Sequence, residues 1–343
     1  MNSVFLDTCR GKETAYTPVW LMRQAGRYLP QYQTVRANID FITLCKTPEL
    51  AAKVTIQPVE ILGVDAAILF SDILIPVEAM GMRLGFSNKH GPMLGEPIRN
   101  RASVDRLVVP ETEEDMPFVM ETIRIVRKEL GKNIPLIGFS GAPFTLATYM
   151  VEGGTSKNFL HTKKMMFQQT SIYNYLMEKL TEMVISYIAS QIKAGVQAIQ
   201  IFDTWAGALT PIDYKNYVLS YVKKIVSELK KYDIPIIYFV NNCAGLLKEV
   251  KRSGADVIGV DWRIDLGDAI KKLGKKVVVQ GNLDPCALFL SQVELEGRVK
   301  DILWKGDAAK GHIFNLGHGV LPETPVENVI AMVKAVHRYG RKD

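Results

Sequence analysis

The chain is 343 residues long, 48% hydrophobic and 23% charged, the composition of an ordinary globular protein with material for a substantial core. Its 42 basic and 36 acidic residues leave a net charge of +6, which suits an anionic small molecule but is too diffuse for a nucleic-acid surface. No uncharged apolar run approaches the roughly 18 residues that span a bilayer. The four cysteines (Cys9, Cys45, Cys243 and Cys286) have no CxxC spacing, which predicts reduced thiols in a cytoplasm.

Along the chain, Arg10, Lys12 and Glu13 interrupt any apolar leader, so no signal peptide is expected. The run from Pro18 to Pro30 then sets Arg23 and Arg27 four residues apart around Gly26, in an otherwise uncharged stretch flanked by Trp20, Tyr28 and Tyr32. A helix would put both guanidinium groups on one side, and a loop turning at Gly26 would let them converge. Each is a rigid fork that grips a carboxylate or phosphate bidentately, so the pair suits a large polyanionic ligand. Surface or interface arginines are the plainer reading. Thr47-Pro48 reads as a helix start, with Pro58 expected to kink or end that helix.

Short apolar, β-rich runs follow at 66–70, 135–139, 198–202, 235–240, 257–260, 276–279 and 312–316, separated by helical patterns. Leu176, Leu180, Val184, Ile188 and Ile192 recur every four residues before Gly195, a C-cap signal. Thr210-Pro211 is another helix start. Thr324-Pro-Val-Glu327 reads as a capping box opening a last helix that Gly340 ends. Seven strands alternating with helices predict a parallel sheet covered on both faces. An eighth, at Val19–Met22 or within 82–98, would close it into a (β/α)8 TIM barrel, the α/β fold class we expect. No GxGxxG follows the first strand, and Gly153-Gly-Thr-Ser-Lys157 lacks P-loop spacing, so nucleotide-binding sheets lose ground. With no low-complexity linker, one domain over 1–343 is expected, residues 1–45 forming an extension over the C-terminal face of the barrel. Polar residues stand at every strand end: Ser71-Asp72, Ser140-Gly141, Asp203-Thr204, Asn241-Asn242, Asp261-Trp262, Gly281-Asn282 and Gly317-His318. Barrel enzymes build their sites there.

The Pro18–Pro30 string resembles the N-terminal signature of the uroporphyrinogen decarboxylase family. Four further segments match it in order: Phe70-Ser-Asp-Ile-Leu74; Gly138-Phe-Ser-Gly-Ala-Pro-Phe-Thr-Leu146 with Tyr149-Met-Val-Glu-Gly-Gly154; Phe202-Asp-Thr-Trp-Ala-Gly207; and Asn315-Leu-Gly-His-Gly319. The resemblance implies cofactor-free conversion of the four acetate side chains of uroporphyrinogen III to methyls, giving coproporphyrinogen III and CO2, by a cytoplasmic homodimer. Losing CO2 from such an acetate leaves an electron pair on a methylene carbon. Protonating the neighbouring pyrrole α-carbon first makes the substrate its own electron sink, a task that elsewhere falls to a cofactor. The protein must then supply an anion beside the pyrrole N–H groups, carboxylate clamps and a proton.

The family pattern makes Asp72 the pyrrole-binding anion, although its position also suits an N-cap. It makes Arg23 and Arg27 the clamps, one of which could also deliver the proton, although an arginine is a poor acid. His318 could transfer a proton near neutrality or bind a carboxylate. Tyr149 and Thr204 supply hydroxyls, Thr204 standing where the family has serine. Phe139 and Phe202 could wall the pocket or be plain core. Gln31, Gln33 and Phe144 depart from the family's usual Glu, Arg and Trp. His90, His161, His312 and His337 show no ligand spacing. Three other functions have weaker support. A zinc- or cobalamin-linked methyltransferase needs a His-x-Cys pair that is absent, and a Schiff-base aldolase needs a strand lysine. A non-catalytic tetrapyrrole carrier would have no use for an aspartate against the ring.

Overall fold

The computed structural model describes residues 3–87, 91–131 and 133–342. The seven expected strands all form, each a buried apolar run bounded by Gly, Pro or polar residues. They are β1 (Ala67–Ile68), β4 (Leu136–Gly141), β5 (Ala198–Asp203), β6 (Ile236–Val240), β7 (Val257–Gly259), β8 (Val278–Gln280) and β9 (Gly311–Ile313). All pair in parallel in chain order, with β1 and β9 at the two edges. The antiparallel hairpin β2 (Leu84–Ser87) and β3 (Gly91–Leu94) stands apart from this sheet, so the eighth barrel position does not come from 82–98.

Residues 18–22 supply it. The Phe314 N–H donates to the Pro18 carbonyl (2.8 Å) on one side, and the Asp65 N–H donates to the Val19 carbonyl (2.8 Å) on the other. Several other backbone groups find side chains. The Asp65 carboxylate accepts the Val19 N–H (2.7 Å), and the Asn315 amide oxygen accepts the Met22 N–H (3.1 Å). Gln24, fully buried, accepts the Leu21 N–H and donates to the Ala66 carbonyl, standing in for a stretch of ladder. The sheet is thereby closed.

The expected extension of residues 1–45 over the C-terminal face therefore divides. The helix Val4–Cys9 lies at the opposite end, where Phe5, Leu6 and Cys9 join a core cluster with Ala66, Ala198, Val257 and Val278, all near strand starts. Its apolar face plugs the open bottom of the barrel, which the strand interiors alone cannot seal. Residues 18–22 are barrel wall, and only the chain from Arg23 onward continues past the C-terminal end.

Helix starts follow the sequence closely, with two exceptions. Thr210 caps Pro211–Tyr217 by accepting the Asp213 N–H, and Pro48–Leu62 opens on proline. Pro58 does not end the latter helix, because that turn is buried and packed against the helix Pro117–Glu129. The last helix, Val326–Tyr339, begins one turn position later than the capping box requires, so Pro325 is its N-cap and Thr324 makes no cap bond. The 25-residue helix Thr170–Ala194 buries Leu176, Leu180, Val184 and Ile188, and Gly195 (φ +122°) terminates it. No helix among the described residues is long and apolar enough to cross a membrane.

Candidate active site

Period-two alternation decides what each strand end presents. Along β5, Ala198 joins the barrel-interior cluster and Ile199 and Ile201 the outer one, while Gln200 bonds across the interior to Gln280. Phe202 and Thr204 thus share the interior side, and Asp203 points outward among the helices. There the two Asp203 oxygens accept from the hydroxyls of Thr145 and Tyr238, both at 2.7 Å. Burial raises the Asp203 carboxyl to about 6, but it has no free oxygen and no route to the mouth.

Asp72 has the other parity. Ala66 and Ile68 line the interior, and Asp72 continues that series beyond the end of β1. The chain there is tied down by the Phe70 N–H, which donates to Thr55 (2.9 Å). Asp72 does not cap the short helix Ile75–Ala79, whose N-cap is Leu74. Its Oδ1 accepts the Leu74 N–H (2.8 Å), fixing the carboxylate, while Oδ2 receives no hydrogen bond from the described residues. Burial lifts this half-buried carboxyl to about 6, against the opposing effects of the Leu74 N–H and the Arg23 charge.

Arg23 takes a left-handed backbone (φ +60°), so the arginine string is a turn rather than a helix, and the strained residue is Arg23 rather than Gly26. Its exposed side chain passes over Gly319, where any Cβ would overlap it. The Val320 N–H bonds the Met22 carbonyl (3.0 Å) and holds the two loops together. Its charge acts on Asp72, Tyr149 and His318. Arg27, also exposed, acts instead on Tyr32, so the two arginines have different neighbours. Tyr149, on the helix Pro143–Glu152, packs its ring 5.8 Å from Trp205. Burial and then the Asp72 charge push its hydroxyl to about 12, keeping it a donor.

Phe139, Phe202, Phe239, His318 and Trp262 form a chain of edge-on rings across the mouth, with centroids 5.7, 6.3, 6.3 and 6.1 Å apart. Phe139 and Phe202 thus belong to this chain of rings as well as packing against the core. Burial, reinforced by Arg23 and Arg263, pulls His318 down to about 4. It is neutral at pH 7, which removes the expectation that it carries a proton near neutrality.

Phe239, Trp262, Arg263 and Asn315 were not singled out by sequence reasoning. Interior parity on β6 identifies Phe239, and Arg263 directly follows the Asp261-Trp262 strand end. His90 lies outside the described residues. Of the other histidines, His312 is buried against the Gly281 carbonyl (2.8 Å), and His337 pairs with Asp65 (2.8 Å) far from the mouth. Among the described residues, no group of three or more His, Cys, Asp or Glu side chains is placed to hold a metal.

The family model described as uroporphyrinogen decarboxylase (URO-D) matches residues 1–339. Proteins named uroporphyrinogen decarboxylase from Geotalea uraniireducens and Geobacter sulfurreducens are 56% and 54% identical over 342 residues, covering 100% of both chains in each pair. Among solved structures, a methyltransferase from Methanosarcina mazei superposes with a TM-score of 0.84 over 98% of this chain and 97% of its own. At 22% identity it shares the fold alone.

Proposed function

The chain belongs to the uroporphyrinogen decarboxylase family, and from that premise we propose that it converts the four acetate side chains of uroporphyrinogen III to methyls without a cofactor. It releases CO2 and coproporphyrinogen III, as a homodimer in the cytoplasm, with residues 1–343 acting as one barrel domain. The observation that carries the site assignment is Asp72, a carboxylate fixed through one oxygen at the mouth, with the other receiving no hydrogen bond from the described residues.

In the reaction, a pyrrole α-carbon takes a proton, giving a cationic ring. The bond between the acetate methylene and its carboxylate then breaks, CO2 leaves, and the electron pair forms an exocyclic double bond that neutralises the ring. A proton adds to the methylene carbon, and the α-carbon proton departs, leaving a methylpyrrole. Each cycle consumes one proton. Asp72 faces the pyrrole N–H groups and stabilises the cationic ring more than the neutral one, the differential binding that lowers a barrier.

Arg23 and Arg27 hold substrate carboxylates, each charge-assisted bond contributing about 1.5–3 kcal/mol. Neutral His318 donates one ring N–H to a carboxylate. Tyr149 and Thr204 offer hydroxyls from beyond the neighbouring strands β4 and β5, and the string of rings from Phe139 to Trp262 keeps water from the tetrapyrrole. The test is incubation with the anaerobically reduced octacarboxylate in chelator, without pyridoxal phosphate, thiamine or biotin, while CO2 and product carboxyl number are followed. Turnover lost with a removable stoichiometric metal would favour a methyltransferase-like centre, and binding without CO2 release would favour a carrier.

A further inference from the structure

The mouth contains a third guanidinium that neither the arginine string nor the family motifs quoted above include. Arg263 follows the end of β7 by four residues. In the closed ring of eight, counting residues 18–22 as the first strand and β1 as the second, β7 is the sixth. It therefore stands opposite β1 and Asp72, and three positions from the strand that carries Arg23 and Arg27. A tetrapyrrole seated on Asp72 presents carboxylates around its whole rim, and Arg23 and Arg27 come from one strand end of the ring alone.

Arg263 is also built to wait for an anion. Its guanidinium lies flat on the Trp262 indole, 3.7 Å from the ring centre, and Nη1 donates to the Asn241 amide oxygen (2.9 Å). Its backbone N–H is taken by the Asp261 carboxylate (2.7 Å), which also accepts the Cys243 N–H. The same carboxylate is 3.6 Å from Nη1, an ion pair too long for a good hydrogen bond, and among the described residues the remaining guanidinium N–H groups have no hydrogen-bond acceptor. The side chain remains 42% exposed. Trp262 is the last member of the ring string and touches His318, on which the Arg263 charge acts together with that of Arg23.

We infer that Arg263 is a substrate-binding residue that takes a peripheral carboxylate of the tetrapyrrole on the side of the mouth opposite Asp72. This rests on the decarboxylase reading above. Stacking on Trp262 limits the conformations the guanidinium must give up on binding, so the bond forms at low entropic cost.

The test compares Arg263→Gln and Arg263→Lys with the parent enzyme, using uroporphyrinogen as substrate and coproporphyrinogen as competitive inhibitor at several salt concentrations. Arg263→Gln should raise KM about tenfold, leave kcat within about twofold and flatten the dependence of KM on salt. Arg263→Lys should recover part of the loss. A matching loss for coproporphyrinogen assigns the contact to a propionate, and a loss confined to uroporphyrinogen assigns it to an acetate. An unchanged KM and salt dependence, or a fall in kcat and melting temperature with KM unmoved, would overturn the inference and leave Arg263 as a strut for Trp262 and Asn241. Absence of CO2 release by the parent enzyme would instead remove the decarboxylase reading itself.

Discussion

Replacing Asp72 by Asn separates what the carboxylate does for the reaction from what it costs the fold. Burial raises its pKa to about 6, against about 3.9 for a free aspartate. The folded protein therefore holds the proton more tightly than the unfolded chain does, and the charged form is a net destabilisation. The penalty is absent below pH 4, grows as pH rises from about 4 to about 6 and is complete above that. Two pKa units correspond to about 3 kcal/mol, and the partial exposure of the group reduces this to about 1–2 kcal/mol. Asn keeps an oxygen for the Leu74 N–H, so Asp72→Asn should melt a few degrees higher at pH 7.5 and show no gain at pH 4. Its turnover should fall by about 10²–10³, because a neutral amide cannot favour the cationic ring and directs an NH2 at other donors. The parent kcat/KM should decline below about pH 6 as Asp72 protonates, a limb that the residual Asn activity lacks. Calorimetry at the two pH values and CO2 release on one substrate give both readouts. A folded Asn variant with near-normal turnover would refute charge stabilisation, and a loss of stability at pH 7.5 would refute the strained-carboxylate account.

Gly319→Ala should raise KM severalfold while the protein stays folded, since the added methyl displaces the Arg23 side chain; steady-state kinetics with circular dichroism checks it. Arg23→Ala and Arg27→Ala should impair substrates more as carboxyl number rises, and binding by the parent should weaken with salt; equal losses for hepta- and pentacarboxylates would make both arginines structural. His312 is buried with its pKa lowered to about 4, so the unfolded chain takes up a proton first as pH falls below about 6.5. Its contribution is fully present above that value and is lost between about 6.5 and 4, by up to about 3 kcal/mol. His312→Asn should flatten that acid limb in urea titrations at pH 7 and pH 4.5.

The strands were legible because buried parallel strands are continuous apolar runs, and Ala198–Asp203 matches its expected range to one residue. The first barrel strand was legible only as one of two candidates, Val19–Met22 or a piece of 82–98, since much of its pairing is to the side chains of Asp65, Gln24 and Asn315, which leave no periodic trace. The separation of Asp72 from Asp203 was available in the sequence. Both end apolar runs and burial lifts both, but counting by two from Ala66 and from Ala198 puts only the first inside. The left-handed turn at Arg23 was hidden because nothing in the string marks a non-glycine residue for φ +60°. Its cause, the space over Gly319, lies almost 300 residues away. Nothing in the sequence marks Arg263, because its place across the ring from β1 is defined only once the ring is closed.

The hydrogen bond from Phe314 to Pro18 also sets a schedule for a chain made from its N-terminus. The residues around Arg23 are made long before β9 and the loop through Gly319, and until those are synthesised they can lie only against the side formed by Asp65 and Ala66. Loop-closure entropy makes so distant a pairing a late event. Until then the first strand has a partner on one side only, and Arg23 lacks the Gly319 segment its side chain lies over. A nascent or C-terminally truncated chain should thus be unable to sequester tetrapyrrole, and competence should arrive together with completion of the ring. The same geometry concentrates closure in a short row of contacts between the two ends of the chain, so a local opening of that seam would part the barrel wall and the mouth above it together.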